Sequence, residues 1–353
     1  MDRRHFLSML GLGAVGLTLP GVAQADILKQ AAANPNIKPI SGSWFEFQHP
    51  GGKEGVYWDK DLRQFTAAQW REKIREISET GMEYLVMMNV AAHGKAFFDT
   101  KLAPKFEMGC EDPIETVLSA ADEFGVKFFV SNDYWGPDLD AHRMMTDREL
   151  GKKRNQSMEE IYKKYGHHKS FYGWYFPNES WLDPYFCDFV IPYVNECAQV
   201  AKSLNTNCVN IIAPYNIKKE KCDDFVRQLE QLNVEIVAYQ DGVGVGATRL
   251  EDSARYYENL SKAHQKAGRS RIWADMELFY FEQTTHGSLL PADFNNRIIH
   301  QMEAISPFVD KILVYQYLGI MNKPQSKAHA GLRGETVRLY NQYMDWYNKQ
   351  NFK

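Results

Sequence analysis

The chain has 353 residues, of which 44% are hydrophobic and 24% charged, with a formal net charge of −4 at pH 7. Such a composition is typical of a globular protein that buries a large core. Its charges are mixed in sign along the chain, so it lacks the basic stripe that nucleic-acid binding requires, and we predict no nucleic-acid partner.

The N-terminal segment has the features of an export signal. Arg3 and Arg4 precede a short, glycine-rich apolar stretch that ends in the small-residue pattern Ala-Gln-Ala. We predict a twin-arginine-type signal peptide over residues 1–25, a mature domain over residues 26–353, and a periplasmic or secreted protein. An N-terminal anchor that is kept is the alternative. No later stretch has the roughly 20 uninterrupted apolar residues of a membrane span, so we predict none after signal removal.

Eight short apolar runs, rich in β-branched and aromatic residues, recur along the chain and predict buried strands. They lie at residues 39–47, 83–91, 126–135, 171–179, 208–216, 234–242, 271–279 and 311–319.

Segments with helical periodicity lie between these runs and after the last one. They lie at residues 66–81, 112–125, 142–165, 186–204, 221–232, 249–267, 292–304 and 331–349. Thr66 and Asp112 are expected N-caps, and Gly81 and Gly125 are expected helix stops. Eight strand–helix units in one chain predict a single (β/α)₈ TIM barrel.

Polar and aromatic side chains follow the predicted strands. In a TIM barrel these positions meet at one rim, where the active site lies. A rim with so many hydrogen-bonding and aromatic groups suits a polyhydroxylated ligand, so we predict a carbohydrate substrate. The predicted substrate-binding residues are Trp44, Glu46, Asn89, His93, Asn132, Asp133, Trp135, Asn178, Trp181, Tyr239, Asp241, Tyr315 and Gln316. Among the tryptophans, Trp135 and Trp181 have polar loop neighbours and are the better candidates for sugar platforms.

Two glutamates, Glu179 and Glu277, end the fourth and seventh strands. These strands face each other across a barrel mouth, so both carboxylates can reach one cavity. Glycoside hydrolysis needs such a pair, one to protonate the leaving oxygen and one to attack the sugar or activate water. The aromatic neighbours of Glu179 are expected to raise the pKa of its carboxyl, as a general acid requires. Asp241 is the first alternative partner for Glu179.

The sequence around these glutamates resembles a known group of enzymes. Asn178-Glu179 after strand four and Glu277 after strand seven resemble the retaining (β/α)₈ glycoside hydrolases called clan A. The resemblance implies Glu179 as acid/base, Asn178 as a contact of the sugar 2-hydroxyl, and Glu277 as nucleophile. More narrowly, GWYFPNE, YQDGVGVG and WADMELF resemble the exported glycosidase-like family called domain of unknown function 4434, over most of the mature chain. Clan members commonly carry an arginine near the end of strand two, and VMMNVAAHGK has none.

Other motifs give no cofactor or metal site. The stretch DGVGVG is GxGxG rather than GxGxxG, so we interpret it as a loop and predict no dinucleotide or other cofactor. The histidines, including His49, His93, His167 and His168, have no metal-ligand spacing and are expected at the surface or facing substrate. Five cysteines without CxxC spacing predict no zinc site, and one disulfide is possible.

Two alternatives to a glycosidase stay open. The first is a carbohydrate-binding barrel without turnover, because a fold does not establish a function. The second is a metal-dependent isomerase or deacetylase with His93, Asp133, Glu179 and Glu277 as ligands, which would be sensitive to chelators. The sequence predicts no particular sugar and no oligomeric state.

Overall fold

In the computed structural model of the protein, the described residues are 37–136, 139–179, 181–182, 185–218, 223–283, 286–350 and 352. The predicted signal peptide, residues 1–25, lies outside them. No helix within these residues is long and apolar enough to cross a membrane.

Eight parallel strands form one closed barrel, which confirms the predicted (β/α)₈ fold. The first strand pairs with both the second and the eighth, so the sheet has no edge. The strands are β1 (Ile40–Phe45), β2 (Tyr84–Met87), β3 (Lys127–Ser131), β4 (Phe171–Tyr175), β5 (Val209–Ile212), β6 (Ile236–Gln240), β7 (Arg271–Glu277) and β8 (Ile312–Tyr315).

Helices cover the outer face of the barrel. They are α1 (Asp59–Gln64), α2 (Ala67–Ser78), α3 (Pro113–Phe124), α4 (Ala141–Thr146), α5 (Arg148–Tyr165), α6 (Val190–Leu204), α7 (Asp223–Gln231), α8 (Leu250–Ala267), α9 (Ile299–Ile305) and α10 (Arg333–Lys349). A π-helical turn, Phe294–Ile298, precedes α9, and a 3-10 turn, Ser306–Phe308, follows it.

Capping residues set several helix ends. The Asp112 side chain accepts a hydrogen bond from the Glu115 amide at 3.1 Å, and Gly125 ends α3 in the left-handed conformation, with φ 74°. The segment 142–165, predicted as one helix, is two. Asp147 separates α4 from α5 because its backbone is extended and its side chain caps the first turn of α5.

The alternation of side chains along each strand separates the barrel interior from the helix-covered face. Trp44, Tyr84, Phe129 and Trp273 lie in the interior cluster, and Tyr84 lies 5.0 Å from Trp273 between ring centroids. Phe45, the neighbour of Trp44 in sequence, instead packs on Trp70 of α2 at 5.5 Å. Continuing the interior alternation past each strand end therefore identifies the side chains that reach the mouth.

Two short hairpins add to the loops at the mouth. Ala91–Ala92 pairs with Lys95–Ala96 after β2, and Phe279–Phe281 pairs with Leu289–Pro291 after β7.

Four of the five cysteines lie within the described residues: Cys110, Cys187, Cys197 and Cys208. Each carries a free thiol, whereas Cys222 lies outside these residues.

Candidate active site

Glu179 follows β4 and lies among groups from several other strands. Gln240, the last residue of β6, donates a side-chain hydrogen bond to its carboxylate. The tyrosines Tyr134, Tyr175 and Tyr315 have pKa values raised well above the ordinary value, by burial first and in part by the negative charge of Glu179. The carboxyl group thus faces the barrel axis rather than the outer helices.

The pKa of the Glu179 carboxyl is raised to about 7. Burial is the main cause, because it penalises the charged form. The Gln240 hydrogen bond and His49 lower the pKa in part, and the negative charge of Glu54 raises it further. A carboxyl group with such a pKa holds its proton near neutral pH and can deliver it as an acid.

Glu277, the last residue of β7, is held by the loop that follows β6. Its Oε2 accepts a hydrogen bond from the Val245 amide at 2.8 Å, and the Gly244 amide also donates to the carboxylate. Burial and the nearby Asp241 raise the pKa of Glu277, while the two amides and Arg297 lower it. Two backbone amides and a guanidinium therefore stabilise the ionised form of Glu277, whereas the Gln240 amide and His49 do so for Glu179.

Gly244 is required for this contact. A Cβ atom at Gly244 would lie 2.4 Å from the Phe279 carbonyl oxygen, 2.8 Å from the Glu277 Cβ and 2.9 Å from Oε2. Only glycine lets the loop come close enough to donate. The DGVGVG stretch, which the sequence identifies only as a loop, is thus the support of the Glu277 carboxylate.

Arg297 and Gln301 support the end of β7 from the other side. Arg297 Nη2 donates to the carbonyl oxygens of Glu277 and Phe279 at 2.9 and 2.7 Å. Gln301 Nε2 donates to Asp241 Oδ2 at 2.5 Å and to the Glu277 carbonyl at 3.2 Å. The positive charge near Glu277 comes from the segment after β7 rather than from the end of β2.

Asp275 connects the two glutamates electrostatically. It lies two residues before Glu277 on the same side of β7 and is buried. Its pKa is raised well above the ordinary value by burial first, and then by the charges of Glu277, Glu179 and Asp241. Glu179 and Glu277 therefore both act on one buried carboxyl group.

Strands β1 and β8 contribute a buried carboxylate and an amide. Glu46 Oε1 accepts hydrogen bonds from Trp58 Nε1 at 2.7 Å and Gln316 Nε2 at 2.8 Å. Its Oε2 is buried and has no hydrogen-bond partner among the described residues. His49 and Tyr315 lie beside it, with their rings perpendicular and 6.4 Å apart. A ligand hydroxyl is a suitable partner for the remaining Glu46 oxygen.

The loops after β1 and β7 meet above this side of the mouth. Tyr57 donates to Glu282 at 2.6 Å, and His286 lies 3.1 Å from Glu54. Glu54 in turn lies 3.5 Å from His49. These contacts form one wall of the mouth.

Three predicted substrate-binding residues face the helices instead, and we revise those predictions. The Tyr239 hydroxyl forms a hydrogen bond with His264 Nε2 of α8 at 2.7 Å, because residue 239 has the outward alternation of β6. The Asn132 amide lies 3.5 Å from the Met158 sulfur in α5. Trp135, one of the two preferred sugar platforms, is buried and donates to Ser157 of α5 at 3.0 Å.

Asp133 is a structural group rather than a substrate contact. Its Oδ2 forms a buried ion pair with Arg154 at 3.0 Å and accepts a hydrogen bond from Asn178 at 2.8 Å. Its Oδ1 accepts from the Tyr134 and Trp135 amides. Asn178 is therefore positioned by Asp133, and its own Oδ1 is buried without a partner among the described residues.

Of four other predicted substrate-binding residues, three are engaged in structural contacts and one is exposed on a turn. Asn89 is buried and donates to the carbonyl oxygens of Gln48 and Ala91. Asp241 accepts from the Glu277 and Val243 amides, both at 3.2 Å, so it positions Glu277 rather than pairing with Glu179. Trp44 is core, packed on Tyr175 at 5.8 Å. His93 is exposed on a hairpin turn, with φ 51°.

The predicted metal ligands do not form one ligand set. Asp133 is engaged with Arg154, and His93 lies on an exposed turn. Histidines 167 and 168, expected at the surface or facing substrate, lie at the opposite end of β4 from Glu179; His167 is exposed and His168 is buried.

Among the described residues, the large hydrophobic side chains that are exposed to solvent lie on the loops at the mouth. Trp181, the second preferred sugar platform, is 48% exposed and lies 5.9 Å from Tyr215 between ring centroids. The set comprises Val56, Leu139, Trp181, Tyr185 and Tyr280, in the loops after β1, β3, β4 and β7.

Several residues of the site were not among the predicted ones. Gln240 has the inward alternation that Tyr239 lacks, so counting from Ile236 of the interior cluster would have identified it. Gly244 was visible as one of the three glycines in the DGVGVG loop after the sixth strand. His49 was expected only as a histidine at the surface or facing substrate. Glu54, Arg297 and Gln301 had no sequence signal because only tertiary packing places them.

Comparisons with known proteins agree with this barrel. The family model described as Domain of unknown function (DUF4434) matches residues 40–328. Among curated protein sequences, none matches the chain.

Several solved structures share the fold. A provisionally assigned alpha-L-fucosidase from Bacteroides thetaiotaomicron aligns with TM-score 0.68 and 17% identity, covering 89% of this chain and 96% of that one. An endo-1,4-beta-mannanase from Rhizomucor miehei aligns with TM-score 0.56 and 12% identity, covering 88% and 95%. A family 1 b-glucosidase from Thermotoga maritima aligns with TM-score 0.55 and 11% identity, covering 90% and 99%. These alignments show that the chain shares an eight-stranded (β/α)₈ barrel fold with these proteins.

Proposed function

The chain belongs to the DUF4434 family, and we propose that it is a glycoside hydrolase that cleaves an oligosaccharide or polysaccharide with Glu179 and Glu277. The observation that carries the proposal is the difference between the two carboxyl groups. The pKa values of both are raised, to about 7 for Glu179 and about 8 for Glu277, so the difference lies in their contacts: Glu179 has the neutral Gln240 amide as hydrogen-bond partner, whereas Glu277 accepts two backbone amides beside Arg297.

This difference assigns a role to each glutamate. Burial favours the protonated form of both, but the N–H donors and the guanidinium favour negative charge on Glu277. We therefore place the proton on Glu179. A protonated carboxyl and an ionised one at the same mouth are the pair that glycoside hydrolysis needs, and from the resemblance to retaining enzymes we propose Glu179 as acid/base and Glu277 as nucleophile.

The proposed reaction has two steps. Glu277 attacks the anomeric carbon while Glu179 gives its proton to the glycosidic oxygen, so the C–O bond breaks and a glycosyl ester forms on Glu277. Water then attacks the anomeric carbon and gives a proton to Glu179, the ester bond breaks, and both glutamates return to their starting state. Two inversions at one carbon give net retention.

The groups around the glutamates suit a sugar. Glu46 Oε2 and Asn178 Oδ1 are buried acceptors without partners among the described residues, and sugar hydroxyls can donate to both. Tyr315 and Gln316 lie on the same side as Glu46. Trp181 offers an exposed ring on which a sugar can stack. Its place in a loop beyond Glu179 supports a substrate longer than one residue.

We further propose that the protein acts in the periplasm or outside the cell, on the pattern of residues 1–25 alone.

Hydrolysis of a panel of aryl glycosides and oligosaccharides, by the wild type and by Glu179→Gln and Glu277→Gln, tests the proposal. We expect at least one substrate to be cleaved, and the Glu277 variant to lower kcat by about 10³-fold or more. Binding of a sugar by all three proteins without turnover by any of them would favour the carbohydrate-binding alternative. Loss of wild-type turnover on chelation would favour the metal-dependent one.

A further inference from the structure

A second cluster of ligand-type side chains lies away from the mouth. Glu115 is in the first turn of α3, and His167 and His168 lie in the turn that leads into β4. Glu179 lies at the other end of that strand. The cluster therefore joins a helix to a strand entry and contributes nothing to the site described above.

The three side chains are close enough to share one metal ion. One ligand atom from each lies within 4.8 Å of the others, and within the described part of the chain this is the one such group of three. His168 Nε2 is 3.1 Å from Glu115 Oε2. Two ligands of a tetrahedral zinc ion, with bonds of about 2.0–2.1 Å, lie about 3.3 Å apart. The pair already has this separation.

The third ligand needs only a small movement. The His167 ring lies 4.2 Å from the His168 ring between centroids, and His167 is exposed. An exposed imidazole can rotate about its side-chain bonds without displacing packed neighbours. The site is also open to solvent on the His167 side, so an ion can enter and water can complete its coordination.

Asp122 gives the cluster a feature that a random surface group lacks. Its Oδ2 lies 2.7 Å from His168 Nδ1, and its Oδ1 accepts a hydrogen bond from the Ser170 amide at 2.6 Å. A carboxylate that binds Nδ1 of a histidine fixes the ring and leaves Nε2 as the ligand atom, which is the usual outer partner of a zinc-bound histidine. His168 is buried, so this orientation is fixed by packing.

We propose that Glu115, His167 and His168 bind a borderline transition-metal ion, Zn²⁺ among the common ones, with Asp122 as the outer partner of His168. Two imidazoles and one carboxylate favour such an ion over Mg²⁺ or Ca²⁺, which take oxygen ligands. The ion stabilises the fold by tying α3 to the start of β4. Without metal, the same histidine bridges Glu115 and Asp122 as an ion pair, which explains why the cluster is already assembled.

Zinc titration of the full chain, after chelation and dialysis, tests the proposal by calorimetry and by thermal unfolding. We expect one Zn²⁺ per chain and a higher Tm, with Mg²⁺ giving neither effect. His167→Ala and Glu115→Gln are expected to weaken zinc binding at least about 10-fold and to remove the Tm shift. His300→Ala is the matched control, because His300 lies on α9 beside Glu303 at 3.7 Å and belongs to no group of three ligands among the described residues.

His167 is exposed, so its alanine variant is expected to fold, and its unliganded Tm checks this. Wild-type zinc binding no tighter than that of His167→Ala would overturn the proposal. An equal loss in His300→Ala would do the same, because it would show surface binding without a defined site.

Discussion

The Val245 amide donates to the Glu277 carboxylate across 2.8 Å, from the loop after β6 to the end of β7. Since Gly244 donates as well and Asp241 accepts from the Glu277 amide, one short loop holds both the backbone and the side chain of Glu277. The loop thus supports the Glu277 carboxylate in a chain that has no arginine at the end of β2.

Gly244→Ala is expected to lower activity strongly while the protein stays folded. A Cβ at this position would lie 2.4 Å from the Phe279 carbonyl oxygen, so the loop must move and Glu277 must lose its donors. A displacement of about 1 Å in a catalytic group can cost about 10²-fold in rate. Steady-state kinetics and a thermal unfolding curve measure the two effects. Gly52→Ala, in the loop after β1 with open space around it, is the control and should be unchanged.

The pH dependence of kcat/KM is expected to be bell-shaped, with its alkaline limb near pH 7, because Glu179 must hold its proton and has a pKa of about 7. The acidic limb belongs to the ionisation of Glu277, whose pKa is also raised, so the two limbs lie close together and the optimum is narrow. Glu179→Gln should abolish the alkaline limb on an aryl glycoside with a good leaving group. On a poor leaving group it should lower the rate by about 10²–10⁴-fold. An alkaline limb that survives in this variant would assign the acid to another residue.

Tyr239→Phe is expected to lower stability and leave catalysis unchanged. The variant leaves the buried His264 Nε2 without its partner, at a cost of about 1–3 kcal/mol in the free energy of unfolding. Tyr315→Phe is the matched comparison, because its hydroxyl lies near Glu46 and Glu179 and should contribute to turnover. Denaturant unfolding and kcat/KM distinguish the two. A Tyr239 variant with normal stability and impaired kinetics would contradict its outward placement.

Alanine substitutions of Trp181 and Trp135 are expected to have different effects, one on KM and the other on stability. Trp181→Ala removes an exposed ring, so KM for a long substrate should rise by about 10-fold while stability is kept. Trp135→Ala removes a buried ring and should cost about 3–5 kcal/mol of stability. A short aryl glycoside serves as the control substrate, and its KM should not respond to Trp181→Ala.

Asp275→Asn is expected to stabilise the protein and to flatten the dependence of stability on pH. The folded-state pKa of Asp275 lies well above its ordinary value, so the folded protein keeps a proton that the unfolded chain releases above about pH 4. Stability must therefore fall as pH rises from there to the folded-state pKa. Asparagine removes this loss, worth about 1–3 kcal/mol for a buried polar group. The free energy of unfolding is measured for both proteins from pH 5 to 8. A decrease with pH that is equally steep in the two proteins would contradict the expectation.

The barrel was predictable because strand composition and helix caps are local. Asp112 and Gly125 bound α3 as their residue types indicate, and eight apolar runs correspond to eight strands. Counting strands placed Glu179 after the fourth strand and Glu277 at the end of the seventh, where the structure has them, and their catalytic role stays a prediction. Tyr239 was misplaced because it was chosen by residue type at a strand end, whereas alternation sends Gln240 inward.

Other parts of the site depend on distant packing. Trp135 resembles a sugar platform in sequence, but α5 brings Ser157 to its ring nitrogen. Arg297 reaches the end of β7 from a π-helical turn that no periodicity indicates. Such contacts join residues whose separation in sequence carries no pattern, so sequence alone could not assign them.

The most direct test of the account is covalent trapping of the nucleophile. The wild type is incubated with a panel of 2-deoxy-2-fluoro glycosides, and the adduct is located by intact mass and peptide mapping. We predict a single glycosyl adduct on Glu277, absent from Glu277→Gln and released by water more slowly in Glu179→Gln. An adduct on another residue, or hydrolysis of the parent glycosides without any trapped ester across the panel, would contradict the assignment of Glu277 as the nucleophile.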